Sequence, residues 1–268
     1  MEDLKITLIQ SNIHWQSVDA NLAMFEEKLW SWRPETDLIV LPEMFNTGFT
    51  METQKFAEPV NGKTFRWMKQ MAGQFNTALT GSFIVGENNS YYNRLVWMSP
   101  DGKSSTYDKR HLFSMSGENE HFREGAGQLT IDLNGWKIRP FICYDLRFPV
   151  WIRNQYTTRE HVFSYDVILF VANWPASRIR AWDTLLAARA IENSAYSVGV
   201  NRTGTGLEGI HYNGHSGVYN FKGEPLFPAS DGEMISTVSL SHKELKDYRE
   251  KFPVQSDADQ FEVLNCRR

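Results

Sequence analysis

The feature that most constrains this chain is an alternation: short apolar, β-branched runs are separated by segments with helical periodicity. Lys5-Ile6-Thr7-Leu8-Ile9-Gln10 reads as a buried strand. After it, Val18, Leu22, Phe25, Leu29 and Trp32 recur at steps of four and three, which puts one apolar stripe on a helix. Ser17 or Asp19 is placed to cap that helix, and Pro34 to end it. Asp37 to Glu43 is a second apolar run, stopped at Pro42.

The pattern continues with a helix through Phe65, Met68, Ala72 and Phe75 and a strand from Thr77 to Val85. Asn88-Asn89, Asp101-Gly102 and Asn134-Gly135 are turn signals, so hairpins interrupt the alternation, and the strand ending at Cys143 begins as one arm of such a hairpin. A helix is expected after Pro149, a continuous apolar strand over Asp166 to Asn173, and a helix over Arg178 to Asn193 with Ala181, Leu185, Ala188 and Glu192 on one side. Tyr196 to Asn201, Gly217 to Phe221 and Ile235 to Leu240 supply further strands, before a helix near Ser241 to Lys251. No repeat or low-complexity linker breaks the chain, so the expectation is one mixed α/β domain over residues 1–268. Residues from about 255 to 268 have little periodicity and read as a C-terminal tail.

Composition narrows the function. Apolar residues make up 41% of the 268 residues, enough for a large core, and the net charge of −4 with dispersed Lys and Arg argues against a nucleic-acid partner. No apolar run approaches the roughly 20 residues that span a bilayer, and the start Met1-Glu2-Asp3-Leu4-Lys5 lacks the form of a secretory signal. Only Cys143 and Cys266 are present, so no disulfide framework is implied and a cytoplasmic, soluble protein is expected.

Ligands of open α/β sheets bind beyond the carboxyl ends of strands. Those ends carry Glu43, Lys109, Cys143 and Asn173. Each alone has an ordinary reading: a thiol after an apolar run is commonly a small buried hydrophobe, and Asp108-Lys109-Arg110-His111 is commonly a solvated turn. Together, a carboxylate, an amine and a thiol form a catalytic set. A Cys–His hydrolase would need a histidine marked by a local pattern, and none is. His211 and His215 are four apart but lack a nearby third ligand, so no metal is expected. Gly204 and Gly206 lack the strand-to-helix context of a phosphate loop.

Three motifs then carry a resemblance over nearly the whole chain. Leu41-Pro42-Glu43-Met44-Phe45 with Thr47-Gly48-Phe49, Tyr107-Asp108-Lys109-Arg110-His111-Leu112-Phe113, and Ile142-Cys143-Tyr144-Asp145-Leu146-Arg147-Phe148-Pro149 resemble, in order and spacing, the nitrilase superfamily of carbon–nitrogen hydrolases. Asn173-Trp174-Pro175 and Ala187 to Asn193 look nearest to its omega-amidase branch. The resemblance implies a four-layer α-β-β-α sandwich, a Glu43–Lys109–Cys143 triad and a second glutamate, Glu118, with Glu120 as the alternative. It also implies no cofactor, and a homodimer or higher homo-oligomer.

In that chemistry Cys143 attacks a carboxamide and forms a thioester. Glu43 moves protons, Lys109 and the backbone N–H of Tyr144 meet the oxyanion, and Glu118 orients Lys109 or the substrate nitrogen. Lys109 is also expected to ease formation of the thiolate. The implied substrates are small dicarboxylic monoamides such as 2-oxoglutaramate and succinamate. Arg147, Arg178 or Arg180 would meet the free carboxylate, with Asn173 and Trp174 in the pocket. Two other readings stand beside this one: an N-carbamoyl-amine hydrolase, and a non-catalytic binding protein with a redox-sensitive thiol.

Overall fold

The structure, a computed structural model, describes residues 1–33, 35–157 and 162–263. The expected helix stop at Pro34 and the second cysteine, Cys266, lie outside the described residues. The principal strands are β1 (Leu4–Gln10), β2 (Leu38–Val40), β3 (Ala78–Glu87), β4 (Ser90–Met98), β5 (Ser104–Asp108), β6 (Ile131–Leu133), β7 (Trp136–Ile142), β8 (Val167–Val171), β9 (Tyr196–Val200), β10 (Gly217–Tyr219) and β11 (Met234–Leu240). The longer helices are α1 (Val18–Trp32), α2 (Lys63–Phe75), α3 (Ile179–Asn193) and α4 (His242–Lys251). One sheet runs β11-β1-β2-β3-β4-β5, with the two-residue strand Glu58–Pro59 also on β3; the other runs β10-β9-β8-β7-β6.

Side-chain alternation explains why the strands read as continuous apolar runs. In β1, Ile6 and Leu8 enter the core between the sheets, while Ile9 joins an outer core beneath α1 and α2. β2 divides in the same way, Leu38 and Val40 inward and Ile39 outward, and β4 sends Leu95 and Trp97 inward and Val96 and Met98 outward. Both faces are therefore buried, each large apolar side chain contributing about 1.5–3 kcal/mol before conformational entropy is subtracted. On the far side of the second sheet, Trp182, Leu186 and Ala190 of α3 and Leu245 of α4 close the fourth layer. The layering is the α-β-β-α sandwich that the resemblance implied.

Several local expectations shift. Ser17 occupies the N-cap of α1 but makes no side-chain cap, and Asp19 instead pairs with Lys63 of α2. The segment after Pro149 forms one helical turn, Pro149–Ile152. The deepest face of α3 lies one residue beyond the expected one, at Trp182, Leu186, Arg189, Ala190 and Asn193. Arg189 is polar yet buried because its guanidinium donates to the Leu146 carbonyl at 3.0 and 2.8 Å. The expected tail is docked where it begins: Gln255 is buried and donates to the Glu192 carbonyl at 3.0 Å. No helix among the described residues is long and apolar enough to cross a membrane.

Candidate active site

The parallel strands β1-β2-β3 and β7-β8-β9 end toward one region, and the residues that follow them meet there. Glu43 lies just beyond β2. Pro42 cannot extend a ladder, and Met44 takes a left-handed φ of 42°. The turn is fastened to β3 by the Met44 N–H donating to Ser82 Oγ at 3.0 Å and the Phe45 N–H donating to the Ser82 carbonyl at 3.1 Å. Gly81 makes this close packing possible, since a Cβ there would stand 2.9 Å from both Leu41 and Phe45.

Cys143 occupies the junction between β7 and the 3-10 turn Cys143–Arg147, with a φ of 44°. A non-glycine residue held there stores strain, which surrounding contacts must offset. Asp145 supplies much of that restraint. Its buried carboxylate accepts from the Ile142 N–H at 3.1 Å, the Tyr107 hydroxyl at 2.8 Å and the His111 N–H at 3.0 Å, and pairs with His111 Nδ1 at 2.8 Å. It thereby ties the turn bearing Cys143 to the segment bearing Lys109. His111 also stacks on Phe148 with ring centroids 3.8 Å apart.

The segment Asp108 to His111 is thus no solvated turn. Arg94 grips the Asp108 carboxylate at 2.7 and 2.9 Å, and Lys109 is buried. Lys109 Nζ donates to Glu43 Oε1 at 2.8 Å and to both oxygens of Glu118 at 3.0 Å. Glu118 is buried and also accepts from the Phe113 N–H at 2.5 Å, whereas Glu120 is exposed. Glu43 Oε2 accepts from the Asn173 N–H at 2.8 Å, and the Asn173 side chain donates to the Glu43 carbonyl. Asn93 donates to Glu43 Oε1 at 2.8 Å and to Glu118 Oε1 at 3.3 Å.

Electrostatics follow from two carboxylates sharing one ammonium. Burial pulls Lys109 down, but Glu118, Glu43 and Cys143 outweigh it, so the ammonium is held above its ordinary value. Burial raises Glu118, against the pull of Lys109. Burial, then the charge of Glu43, push the Cys143 thiol well above its usual range, and Lys109 only partly opposes them. Lys109 does favour the thiolate, as expected, but it is outweighed. Burial and the carboxylates together thus hold the thiol toward its protonated form, beside Glu43.

Above the thiol is a cavity of about 120 Å³, walled largely by Phe49, Met51, Phe113, Tyr144, Trp174 and Tyr212. Arg147 and Arg178 border it, and Arg180 does not. Arg147 makes no ion pair among the described residues; its guanidinium lies 4.7 Å from the Trp174 ring centroid. Trp174 is fixed by its N–H donating to Asn201 Oδ1 at 2.7 Å and its indole donating to the Arg178 carbonyl at 2.9 Å. Tyr144 stands second in the 3-10 turn, where leading N–H groups have no partner within the helix. His211 is exposed, and His215 lies between Asp183 and Asp231 at 3.0 and 3.2 Å.

Sequence reasoning missed three residues here. Asp145 lay inside a quoted motif, and its spacing after Cys143 was the available signal. Asn93 was signalled only by an amide partway along a strand whose later part, Leu95 to Met98, is apolar. Tyr212 lies in the glycine-rich stretch, on a small hairpin, Thr203–Thr205 with His211–Asn213, that has no apolar alternation.

Comparison with known proteins agrees with this geometry. The family model for carbon-nitrogen hydrolases matches residues 5–250. The chain is 42% identical over 265 residues to an omega-amidase, YafV, from Yersinia enterocolitica and equally to that of Escherichia coli strain K12, covering 98% of this chain and 100% of each relative. It is 29% identical to a 2-oxoglutaramate amidase from Bacillus subtilis, over 94% of this chain and 96% of that one. The crystal structure of a CN-hydrolase superfamily protein from Xanthomonas campestris, which carries an arsenic adduct in its active site, superposes with a TM-score of 0.95 at 38% identity, covering 98% of this chain and all of that one. Fold, motifs and relatives together show that the chain belongs to the carbon–nitrogen hydrolases of the nitrilase superfamily, as an amidase of the omega-amidase branch.

Proposed function

We propose that the enzyme cleaves the terminal carboxamide of small dicarboxylic monoamides, such as 2-oxoglutaramate and succinamate, to acid and ammonia through a thioester on Cys143. The observation that carries this reading is the buried contact of Lys109 with Glu43 and Glu118 beneath a small cavity bordered by Arg147.

The thiol starts neutral, so attack on the amide carbon is coupled to transfer of its proton to Glu43. Negative charge then grows on the carbonyl oxygen. Lys109, held cationic, and the Tyr144 N–H receive it, each such donor contributing on the order of 3 kcal/mol to the transition state. As the intermediate collapses, Glu43 passes its proton to the departing nitrogen, ammonia leaves, and the acyl group remains on sulfur. Glu43, again anionic, draws a proton from water as that water attacks the thioester. Collapse releases the acid and returns the proton to sulfur. Glu118 holds Lys109 in place throughout.

Arg147 would anchor the free carboxylate. It lacks an acidic partner among the described residues, and Trp174 supports its planar head by stacking. Asn173 acts mainly by holding Glu43, so its place in the site is structural as well as pocket-lining. Purified protein incubated with 2-oxoglutaramate should release ammonia, and Cys143→Ala should not. Equal release from both proteins would refute the reading. Release of carbon dioxide with ammonia from carbamoyl amines, and none from 2-oxoglutaramate, would move the substrate to the carbamoyl class.

A further inference from the structure

Asn93 sits inside β4, before Arg94, which pairs with Asp108, and the apolar Leu95, Val96, Trp97 and Met98; its own side chain is fully buried. A buried amide left without partners costs about 1–3 kcal/mol, so its contacts reveal why it is there. Its Nδ2 reaches Glu43 Oε1 at 2.8 Å and Glu118 Oε1 at 3.3 Å. Its carbonyl oxygen accepts from the Lys109 N–H at 3.0 Å. Its Oδ1 has no hydrogen-bond partner among the described residues, so only the donor end of the amide is engaged.

We propose that Asn93 is a positioning residue for this amidase cluster, an inference that rests on the amidase reading: its uncharged NH2 group holds both carboxylates in register on Lys109. The charges that face it are Glu43, Glu118 and Lys109, with the Cys143 thiol beside them. Two carboxylates already exceed one ammonium, and the thiol must lose its proton against that excess. An aspartate of the same shape would remove the donor and add a third negative charge. A lysine would donate but would neutralise the carboxylate that has to accept the proton. A neutral donor meets both requirements.

The test uses Asn93→Asp and Asn93→Ala with two readouts. The first is the rate at which iodoacetamide alkylates Cys143, followed by mass spectrometry from neutral to alkaline pH; it needs no substrate. Asn93→Asp should react roughly tenfold or more slowly at neutral pH, its profile displaced to higher pH, because a like charge disfavours the thiolate. The second is hydrolysis of 2-oxoglutaramate. Asn93→Ala should lose roughly 10- to 100-fold in kcat, with KM changed by no more than about threefold. The alanine variant adds no charge, and it keeps the test open should the aspartate variant fail to fold. Superimposable alkylation profiles for Asn93→Asp and wild type, or an effect of Asn93→Ala on KM alone, would overturn the inference. A wild type that alkylates as described but hydrolyses no amide refutes the proposed function instead, and the aspartate profile still decides the role of Asn93.

Discussion

Lys109→Met isolates what the shared ammonium does for the fold. The substitution keeps an unbranched, flexible stem and deletes the charge. In the wild type that charge makes contacts of 2.8, 3.0 and 3.0 Å to two carboxylates, with all three side chains 1% exposed or less. Removing one partner of such a buried cluster leaves uncompensated charge and costs about 3–5 kcal/mol. The loss should depend on pH in a definite sense. Burial already raises Glu118 despite Lys109, and without the ammonium it must rise further. A carboxyl group raised in the folded state binds a proton that the unfolded chain has released. Stability is therefore fully present below the usual carboxylate range and falls as pH rises through the shifted value, by up to about 1.4 kcal/mol per pH unit for each proton. Urea denaturation of both proteins from acid to neutral pH measures this. The variant should lose most at neutral pH and approach wild type in acid, and adding Glu118→Gln should recover part of the loss. A variant as stable as wild type at neutral pH, or a deficit unchanged by pH, would refute the reasoning.

Two further outcomes follow from the same geometry. Because burial and Glu43 hold the thiol high, alkylation of wild-type Cys143 should still accelerate above the ordinary thiol range of about 8.5, and a plateau reached below it would contradict the charge balance described. Arg147→Ala should raise KM for a dicarboxylic monoamide roughly 10- to 100-fold, the worth of a charge-assisted hydrogen bond, while barely changing kcat; an equal rise with an uncharged amide such as butyramide would remove Arg147 as the carboxylate anchor.

The mixed α/β alternation was legible because its strands are buried on both faces, whereas the four-layer arrangement came only from the resemblance carried by the motifs. Ile6, Leu8 and Ile9 look like one continuous apolar run, and period-two geometry then divides them between two cores. Glu43, Lys109, Cys143 and Asn173 were legible as strand-end residues, but no local rule joins residues so far apart in the chain; only the folded sheets bring them together. What stayed hidden was polar and buried. Arg189 and Asn193 disguised the inner face of α3, since a periodicity count treats them as solvent-facing although each finds its partners inside. Asn93 and Asp145 were hidden for the same reason: their value lies in contacts with Glu43, Glu118 and His111, on other strands and loops. The charge balance at Cys143 stayed hidden too, because burial of the thiol and the two carboxylates that share Lys109 act on it only once the sheets bring these groups together.

The central claim is that acyl transfer passes through sulfur. Mixing the enzyme with 2-oxoglutaramate, quenching in acid within the first turnovers and measuring the intact mass tests it most directly. The account predicts a mass increase equal to the acyl group, mapped to the peptide containing Cys143, removed by hydroxylamine as a hydroxamate and absent from Cys143→Ala. Full turnover by the Cys143→Ala variant, or an acyl group mapped to any other residue, would contradict it.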